Sequence, residues 1–272
     1  MILRITDFTP YMDWIEGFRG DGRYSDPMLS TEEQIACNLL AAATQPEKHA
    51  LGVFRGGELT GLFVLLILPD ERYIEMLAGL SRSSAAYEEL LRHLAAQYPG
   101  YLADFVFNPD NDLLKSALTA RGAEFCPEQQ KMIFTHDLPA VSGEGIELLS
   151  APYMAQYLAM HNTDMYWTGE KVAAATERFR TFLAVEDGTV AGYLDVTHCY
   201  EENEPYDLLV LPAYRRKGWG RKLLAAALRM NEPKDMMLLV ETDNAPAIRL
   251  YESMGFEAVP GQNSLTVHWQ IE

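Results

Sequence analysis

Apolar residues in the second half of the chain fall into short runs, and a change in their period marks each element. Leu209, Val210 and Leu211 form a run of strand character that ends at Pro212. From Arg221 to Met230 the apolar positions are Leu223, Leu224, Ala227 and Leu228, the spacing of a helix with one buried face. Met236 to Val240 is again a continuous run of strand length. Asp243, Asn244, Ala245 and Pro246 then read as a helix start, with an N-cap side chain followed by Pro in the first turn. Ile248, Leu250, Tyr251 and Met254 give that helix an apolar stripe, and Gly255 ends it. Strands alternating with helices in this way predict an α/β fold.

Between the first strand and its helix stand Arg215, Arg216, Lys217, Gly218, Trp219 and Gly220. Glycines at 218 and 220 let the backbone turn with its N–H groups inward and no Cβ in the way. Unpaired amides, the positive end of a helix dipole and several basic side chains converge there, which suits a pyrophosphate. Taken alone, the same residues also describe an ordinary strand-to-helix turn with a solvated basic face.

Together the two segments resemble the GNAT family of acyl-CoA-dependent N-acetyltransferases. Arg215, Gly218 and Gly220 match its Q/R-x-x-G-x-G/A loop, and Asn244, Ala247, Tyr251, Gly255 and Phe256 match the N-x-x-A-x-x-x-Y-x-x-x-G-F pattern that follows. The direct resemblance covers about residues 146 to 272. It implies a mixed, mostly antiparallel sheet flanked by helices, acetyl-CoA as cosubstrate, no metal, and direct attack of an amine on the thioester. Arg215, Arg216, Lys217, Gly218, Trp219, Gly220 and Arg221 would hold the pyrophosphate, mainly through backbone N–H groups. Leu209, Val210 and Leu211 would offer strand-edge hydrogen bonds to the pantetheine amides, although the same residues also suit a buried sheet core. Asn244 would either bond to pantetheine or cap its own helix.

The resemblance gives Tyr251 the role of general acid towards the departing sulfur, since a phenol with a pKa near ~10 stays protonated at neutral pH. Its structural alternative is an amphipathic helical tyrosine with an ordinary buried partner. Glu204, six residues before Val210, stands where some members carry a catalytic base. Asp207 and Glu241 are alternatives, and the neighbouring Glu201 and Glu202 also fit a solvated acidic hairpin. His161 to Trp167, with Asp164, Tyr166 and Trp167, is expected to shape the acceptor site, where rings and a carboxylate could enclose a cationic amine, although the same residues also suit surface aromatics that pack against the N-terminal half.

The two halves share landmarks. The turn at Gly57 recurs at Gly188, an offset of 131, and the Asn111 to Gly122 helix segment recurs at Asn244 to Gly255, an offset of 133. Several matches in one order point to a duplicated domain. Aligning Leu90 and Leu91 with Leu223 and Leu224 sets Arg82 opposite Arg215, Ala85 and Tyr87 opposite the two loop glycines, and Leu118 opposite Tyr251. The first copy is therefore expected to be a degenerate GNAT-like domain over 1–138. Residues 139–145 are expected to be a linker and 146–272 the catalytic domain.

Composition narrows the function classes. With 22 basic against 39 acidic residues the net charge is −17, which opposes binding to nucleic acid, and the resemblance implies a small-molecule amine or a peptide as partner. Cys37, Cys126 and Cys199 are isolated, so neither a disulfide framework nor a zinc site is indicated. No signal peptide or membrane-spanning run is visible, and a cytoplasmic location is expected. An acetyl-CoA-dependent N-acetyltransferase is the expected function, with a non-catalytic acyl-CoA sensor, or an enzyme using another acyl donor or acceptor, as alternatives.

Overall fold

The computed structural model describes residues 1–161, 163 and 166–272. The chain divides into two compact units, the first formed by Met1–Gln130 with Pro260–Glu272 and the second by Lys131–Val259.

Unit 1 starts with β1 (Ile2–Arg4) and a run of short helical turns that includes α1 (Met12–Glu16) and α2 (Glu32–Gln34). There follow β2 (Lys48–Arg55), β3 (Glu58–Leu68), β4 (Tyr73–Ser81), α3 (Ser84–Gln97), β5 (Leu102–Phe107), α4 (Asp112–Thr119) and β6 (Glu124–Phe125). Strands β1 to β4 pair antiparallel in sequence order, and β4 then pairs parallel with β5 from Tyr73↔Leu102 to Met76↔Phe105. Beyond Met76 that ladder stops, although β4 continues to Ser81. Helices α3 and α4 bury Tyr87, Leu90, Leu91, Leu114 and Leu118 on one face of the sheet. Phe8, Ile15, Phe18, Leu29, Ile35 and Leu39 form a separate core with Leu62, Val64 and Leu80.

Unit 2 comprises β7 (Gln129–Phe134), β8 (Ile146–Leu148), α5 (Met154–Met160), α6 (Gly169–Ala174), β9 (Phe179–Glu186), β10 (Thr189–Thr197), β11 (Glu202–Asn203), β12 (Pro205–Val210), α7 (Trp219–Asn231), β13 (Asp235–Glu241), α8 (Ala245–Glu252) and β14 (Phe256–Ala258). Its strands form two sheets, ordered β8-β9-β10-β12 and β11-β13-β7-β14. β11 pairs parallel with β13 at Glu202↔Asp235 and Asn203↔Met236, after which the chain enters β12 in the other sheet. The strand edges of β12 and β13 therefore diverge from a shared base. Leu194, Val196, Leu223, Leu224 and Leu238 share the core on the α7 side, and Tyr157, Leu183, Val190 and Tyr193 form a smaller core with α5.

A last strand, β15 (Leu265–Gln270), lies between β5 and β6 of unit 1, while β7 lies between β13 and β14 of unit 2. Each unit thus takes its inner closing strand from the other half of the sequence. The expected division at 138 and 146 is corrected accordingly: the boundary is at 130/131, and residues 260–272 return to unit 1. Residues 139–145 are packed within unit 2. The Val141 carbonyl accepts from Arg229 at 2.9 Å, and a Cβ added at Gly145 would stand 2.8 Å from the Trp219 ring. The mixed, mostly antiparallel sheets flanked by helices agree with the expected α/β class. Among the described residues no helix is long and apolar enough to cross a membrane.

Strand pairing also fixes how the copies align. Gly61 pairs with Ser81 in unit 1, and Gly192 pairs with Val210 in unit 2. Since Gly61 and Gly192 are equivalent, Ser81 matches Val210 and Arg82 matches Leu211, an offset of 210 − 81 = 129. The helices that follow match at 223 − 90 = 133, so the turn of unit 2 is longer by 133 − 129 = 4 residues. The sequence-based pairing of Arg82 with Arg215 is corrected by this insertion.

Candidate active site

The turn before α7 has the geometry its glycines suggested, but the two glycines do different work. Gly218 is the N-cap with φ +86°, a left-handed conformation that costs a residue with a Cβ roughly 1–2 kcal/mol. Arg216 also has positive φ, at +65°. The chain thus turns sharply and presents its amides with the N-terminus of the 13-residue helix α7. Gly220 lies inside the first turn of that helix, and a Cβ there would stand 3.1 Å from Leu250. Its role is the close packing of α7 on α8.

The side chains of the turn are largely committed. Lys217 pairs with Glu186 at 3.0 Å, Arg221 donates to Ser253 Oγ at 2.9 Å, and Arg215 Nε donates to the Val210 carbonyl at 3.0 Å. The Trp219 side chain is buried in the core, which leaves its backbone for the turn. The residues fit a pyrophosphate through backbone amides, with the charges of Arg215, Arg216, Lys217 and Arg221 around them.

On β12, the Leu211 N–H donates to the Ala191 carbonyl. Alternation along an antiparallel ladder then turns Leu209 towards β10 as well and leaves Leu208 and Val210 facing the diverging edge. Of the three residues expected to offer that edge, Val210 has the required direction; Leu209 and Leu211 do not, because their backbone groups serve the sheet. Asn244 accepts from the Ala247 N–H at 3.2 Å, so it caps α8. Asn111 caps α4 through Leu114 N–H in the same way.

Tyr251 sits on α8 with its ring edge-on to Phe256, at 6.0 Å between centroids. Its hydroxyl has no hydrogen-bond partner among the described residues. Burial pushes its pKa up to about 12, and the charges of Asp207 and Glu204 push the same way. Glu204 lies between β11 and β12, just before the bulge at which the β10–β12 register shifts between Pro205 and Asp207. Its backbone is held by Thr197, whose N–H donates to the Glu204 carbonyl and whose Oγ1 accepts from the Glu204 N–H at 2.7 Å. Desolvation pushes its carboxyl up to about 7, against the pull of Arg178 and Lys131. An acid that keeps its proton and a carboxyl poised near neutrality thus lie within each other's electrostatic reach.

A buried polar cluster adjoins them, joining Asp207 and His161, both singled out in the sequence, to Asp195, which was not. Asp195 on β10 is 0% exposed and faces Asp207 across the ladder. Its carboxylate accepts from Tyr157 Oη at 3.0 Å, Thr181 Oγ1 at 2.5 Å and His161 Nε2 at 2.9 Å. His161 stacks on Tyr193 and stands 3.8 Å from Asp207, whose Oδ2 accepts from Tyr193 Oη at 2.6 Å. Burial raises the Asp207 pKa, moderated by the Tyr193 hydroxyl and His161. His161, Asp195 and Asp207 are close enough to share a cation, but hydroxyl donors already occupy the carboxylates. One imidazole between two carboxylates leaves net negative charge, and Asp207 is the carboxylate that reaches the surface, at 19% exposure of its side chain. The available sequence signal was Asp195, a carboxylate inside an otherwise apolar strand.

The expected aromatic cage for an amine is filled from within. Lys171 Nζ lies 3.7 Å above the Tyr166 ring, and the Arg178 guanidinium lies 4.8 Å from the Trp167 ring. These protein cations, rather than a ligand, satisfy the rings. Asp164 lies outside the described residues. Glu241 ends β13 and is exposed.

In unit 1 the corresponding place is closed. Tyr87 is fully buried; its hydroxyl donates to the Ser81 carbonyl at 3.0 Å and accepts from Asn111 Nδ2 at 2.9 Å. Ser83 caps α3 directly, without the four-residue insertion, and Arg82 is bound to Asp21 at 2.6 Å. Leu118, at the position of Tyr251, is buried.

A diverging strand pair, an amide-rich turn at a helix start and a tyrosine on the next helix define an acyltransferase-type site, and residues 146–256 match the Acetyltransferase (GNAT) family. The part of the chain that carries the site is thus similar to the GNAT acetyltransferases. Among relatives, it is 34% identical over 83 residues to the [Ribosomal protein bS18]-alanine N-acetyltransferase of Escherichia coli, spanning 29% of this chain and 56% of that protein. It is 29% identical over 147 residues to the N-alpha-acetyltransferase RimI of Mycobacterium tuberculosis, spanning 53% of this chain and 77% of that one. An uncharacterized Mycobacterium leprae protein is 40% identical over 75 residues, and the match spans only 21% of its length. Solved structures match over the whole chain. A GCN5-related N-acetyltransferase from Sphaerobacter thermophilus has a TM-score of 0.67 at 14% identity, over 100% of this chain and 96% of its own. A tandem GNAT protein from the clavulanic acid biosynthesis pathway has 0.58 at 15% identity, over 100% and 98%. At such identities the likeness concerns the fold, and it extends to both units.

Proposed function

We propose that unit 2 is an acetyl-CoA-dependent N-acetyltransferase acting on a primary amine by direct attack within a ternary complex. The observation that carries this reading is the amide-rich turn at Gly218 before α7, with Tyr251 on the next helix and Glu204 at the head of β12. Acetyl-CoA supplies the activated acyl group. The amides of 216–221 and the outward edge of β12 at Leu208 and Val210 bind and align it, and fixing two reactants in this way can supply roughly 7–11 kcal/mol of the barrier. Asp207 attracts the acceptor as its ammonium form, Glu204 takes the proton that must leave to free the nitrogen lone pair, and the Tyr251 hydroxyl donates to the departing sulfur, the second proton lost from nitrogen as the amide forms restoring the phenol. Unit 1, with its closed counterpart, serves as a structural partner rather than a second transferase. The names of the E. coli and M. tuberculosis relatives make peptide α-amines the first acceptors to try.

The test is a screen of peptides and small amines for release of free CoA from acetyl-CoA, with the product identified by mass spectrometry. Acetylated amine in stoichiometric yield with CoA is expected. Tight acetyl-CoA binding without turnover on any amine would instead favour an acyl-CoA sensor.

A further inference from the structure

We propose that unit 1 carries its own small-molecule site, for an amine with an apolar body, built around Asp26. A cavity of about 410 Å³ opens in this unit, with Ile15, Phe18, Leu29, Ile35 and Leu80 as its apolar lining and Asp26 in its wall. That volume lies within the range of small-ligand pockets, about 300–1,000 Å³.

Asp26 is 6% exposed, and its two oxygens accept from the backbone N–H groups of Met28, at 2.7 Å, and Gly79, at 2.5 Å. Each carboxylate oxygen has a second lone pair, and no further donor reaches either among the described residues. Cations nearby are committed elsewhere: Arg19, which also lines the cavity, binds Glu16 and Glu32, and Arg82 binds Asp21. A carboxylate buried without a counter-charge is costly, and burial pushes the Asp26 pKa up to about 7 against the two backbone donors. An ammonium group donating to Asp26 would supply the missing charge, and the five apolar side chains would receive the rest of the molecule. A neutral ligand of the same shape would gain only the second contribution. The site uses none of the residues of unit 2.

Calorimetric titration of the 272-residue chain carrying Asp207→Asn, without acetyl-CoA, keeps the acceptor side of unit 2 out of the measurement. 2-Phenylethylamine should bind at one site per chain, at least tenfold more tightly than 2-phenylethanol. Gly22→Phe places a ring at the cavity mouth, where an added Cβ meets nothing within 4 Å. It should remove this binding while acetyl-CoA affinity is kept. Asp26→Asn should erase the preference for amine over alcohol; should that variant fail to fold, Gly22→Phe decides alone. No binding of the amine, equal affinity for the alcohol, or binding indifferent to Gly22→Phe would overturn the proposal. Because the readout is heat of binding, an enzyme inactive towards every acceptor would leave the test intact.

Discussion

The Tyr87 hydroxyl donates to the Ser81 carbonyl 3.0 Å away and so ties the first turn of α3 to the end of β4. In unit 2 the matching helix position is Gly220 and the matching strand end is Val210, with four more residues between them. A phenol and a shortened turn thus fill in unit 1 what the other copy leaves as backbone. One acetyl-CoA per chain is expected. Titration of the intact chain should give a stoichiometry near one, and two equivalent sites would sink the assignment of unit 1 as a closed copy. Tyr87→Phe leaves the buried Asn111 Nδ2 donor without its acceptor and should lower unfolding stability in urea by about 1–3 kcal/mol.

Tyr251→Phe should separate binding from chemistry. The ring still packs on Phe256, so acetyl-CoA affinity is expected to hold, while kcat falls on the order of 10²-fold for loss of a proton donor acting in the transition state. Single-turnover kinetics distinguish this from a change in product release. An unchanged chemical step would return Tyr251 to a packing role.

Glu204 sets the expected pH profile. As the base it must be ionised, so kcat/KM should fall as pH drops below about 7, and Glu204→Gln should lower activity and abolish that limb. The sign for stability is the opposite. A carboxyl whose folded pKa is raised binds its proton in the native state when the unfolded chain has already released it, so stability falls as pH rises from about 4.5 to about 7. Urea unfolding of Glu204→Gln should show a shallower decline over that window. A rate profile unaltered by the substitution would move the base elsewhere.

The two glycines make a contrasting pair. Gly218→Ala meets no neighbour within 4 Å but must adopt φ +86°, and it should weaken acetyl-CoA binding through a distorted turn at a cost of roughly 1–2 kcal/mol. Gly220→Ala presses on Leu250 at 3.1 Å and should act on stability first, read as a lowered Tm. Equal effects of both on binding and none on Tm would contradict the separation of roles.

Much of the site in unit 2 was legible because its chemistry is local: Arg215, Gly218, Asn244 and Tyr251 each sit at a fixed offset from a helix start. What could not be seen depended on pairing between distant segments. Asp195 and His161 are 34 residues apart and meet only because α5 lies over β10. The four-residue insertion emerged from strand register, whereas the ungapped comparison was anchored in a helix. Leu211 has the same apolar character as Val210, and only the direction of its N–H separates them. The strand exchange was hidden for a similar reason: Gln129–Phe134 and Leu265–Gln270 are both short strands whose side chains suit a half-buried sheet, and sequence order favours neighbours.

That exchange gives the last prediction. A shortened chain beginning at Gly145 retains every residue of the candidate active site but lacks β7. Met132 is fully buried in the core of unit 2, and Phe134 packs its ring 5.6 Å from that of Phe256. Without β7, strands β13 and β14 lose their common neighbour, and the ladder running from Phe256↔Phe134 to Ala258↔Met132 is absent. The same chain keeps β15, whose buried Val267 and Trp269 have no sheet left to enter. Residues 145–272 should therefore show no cooperative unfolding and no acetyl-CoA affinity, whereas residues 129–259, which contain β7 and end before β15, should show both. Circular dichroism melts and calorimetry on the two fragments decide it, and a stably folded 145–272 that binds acetyl-CoA would contradict the exchange of closing strands.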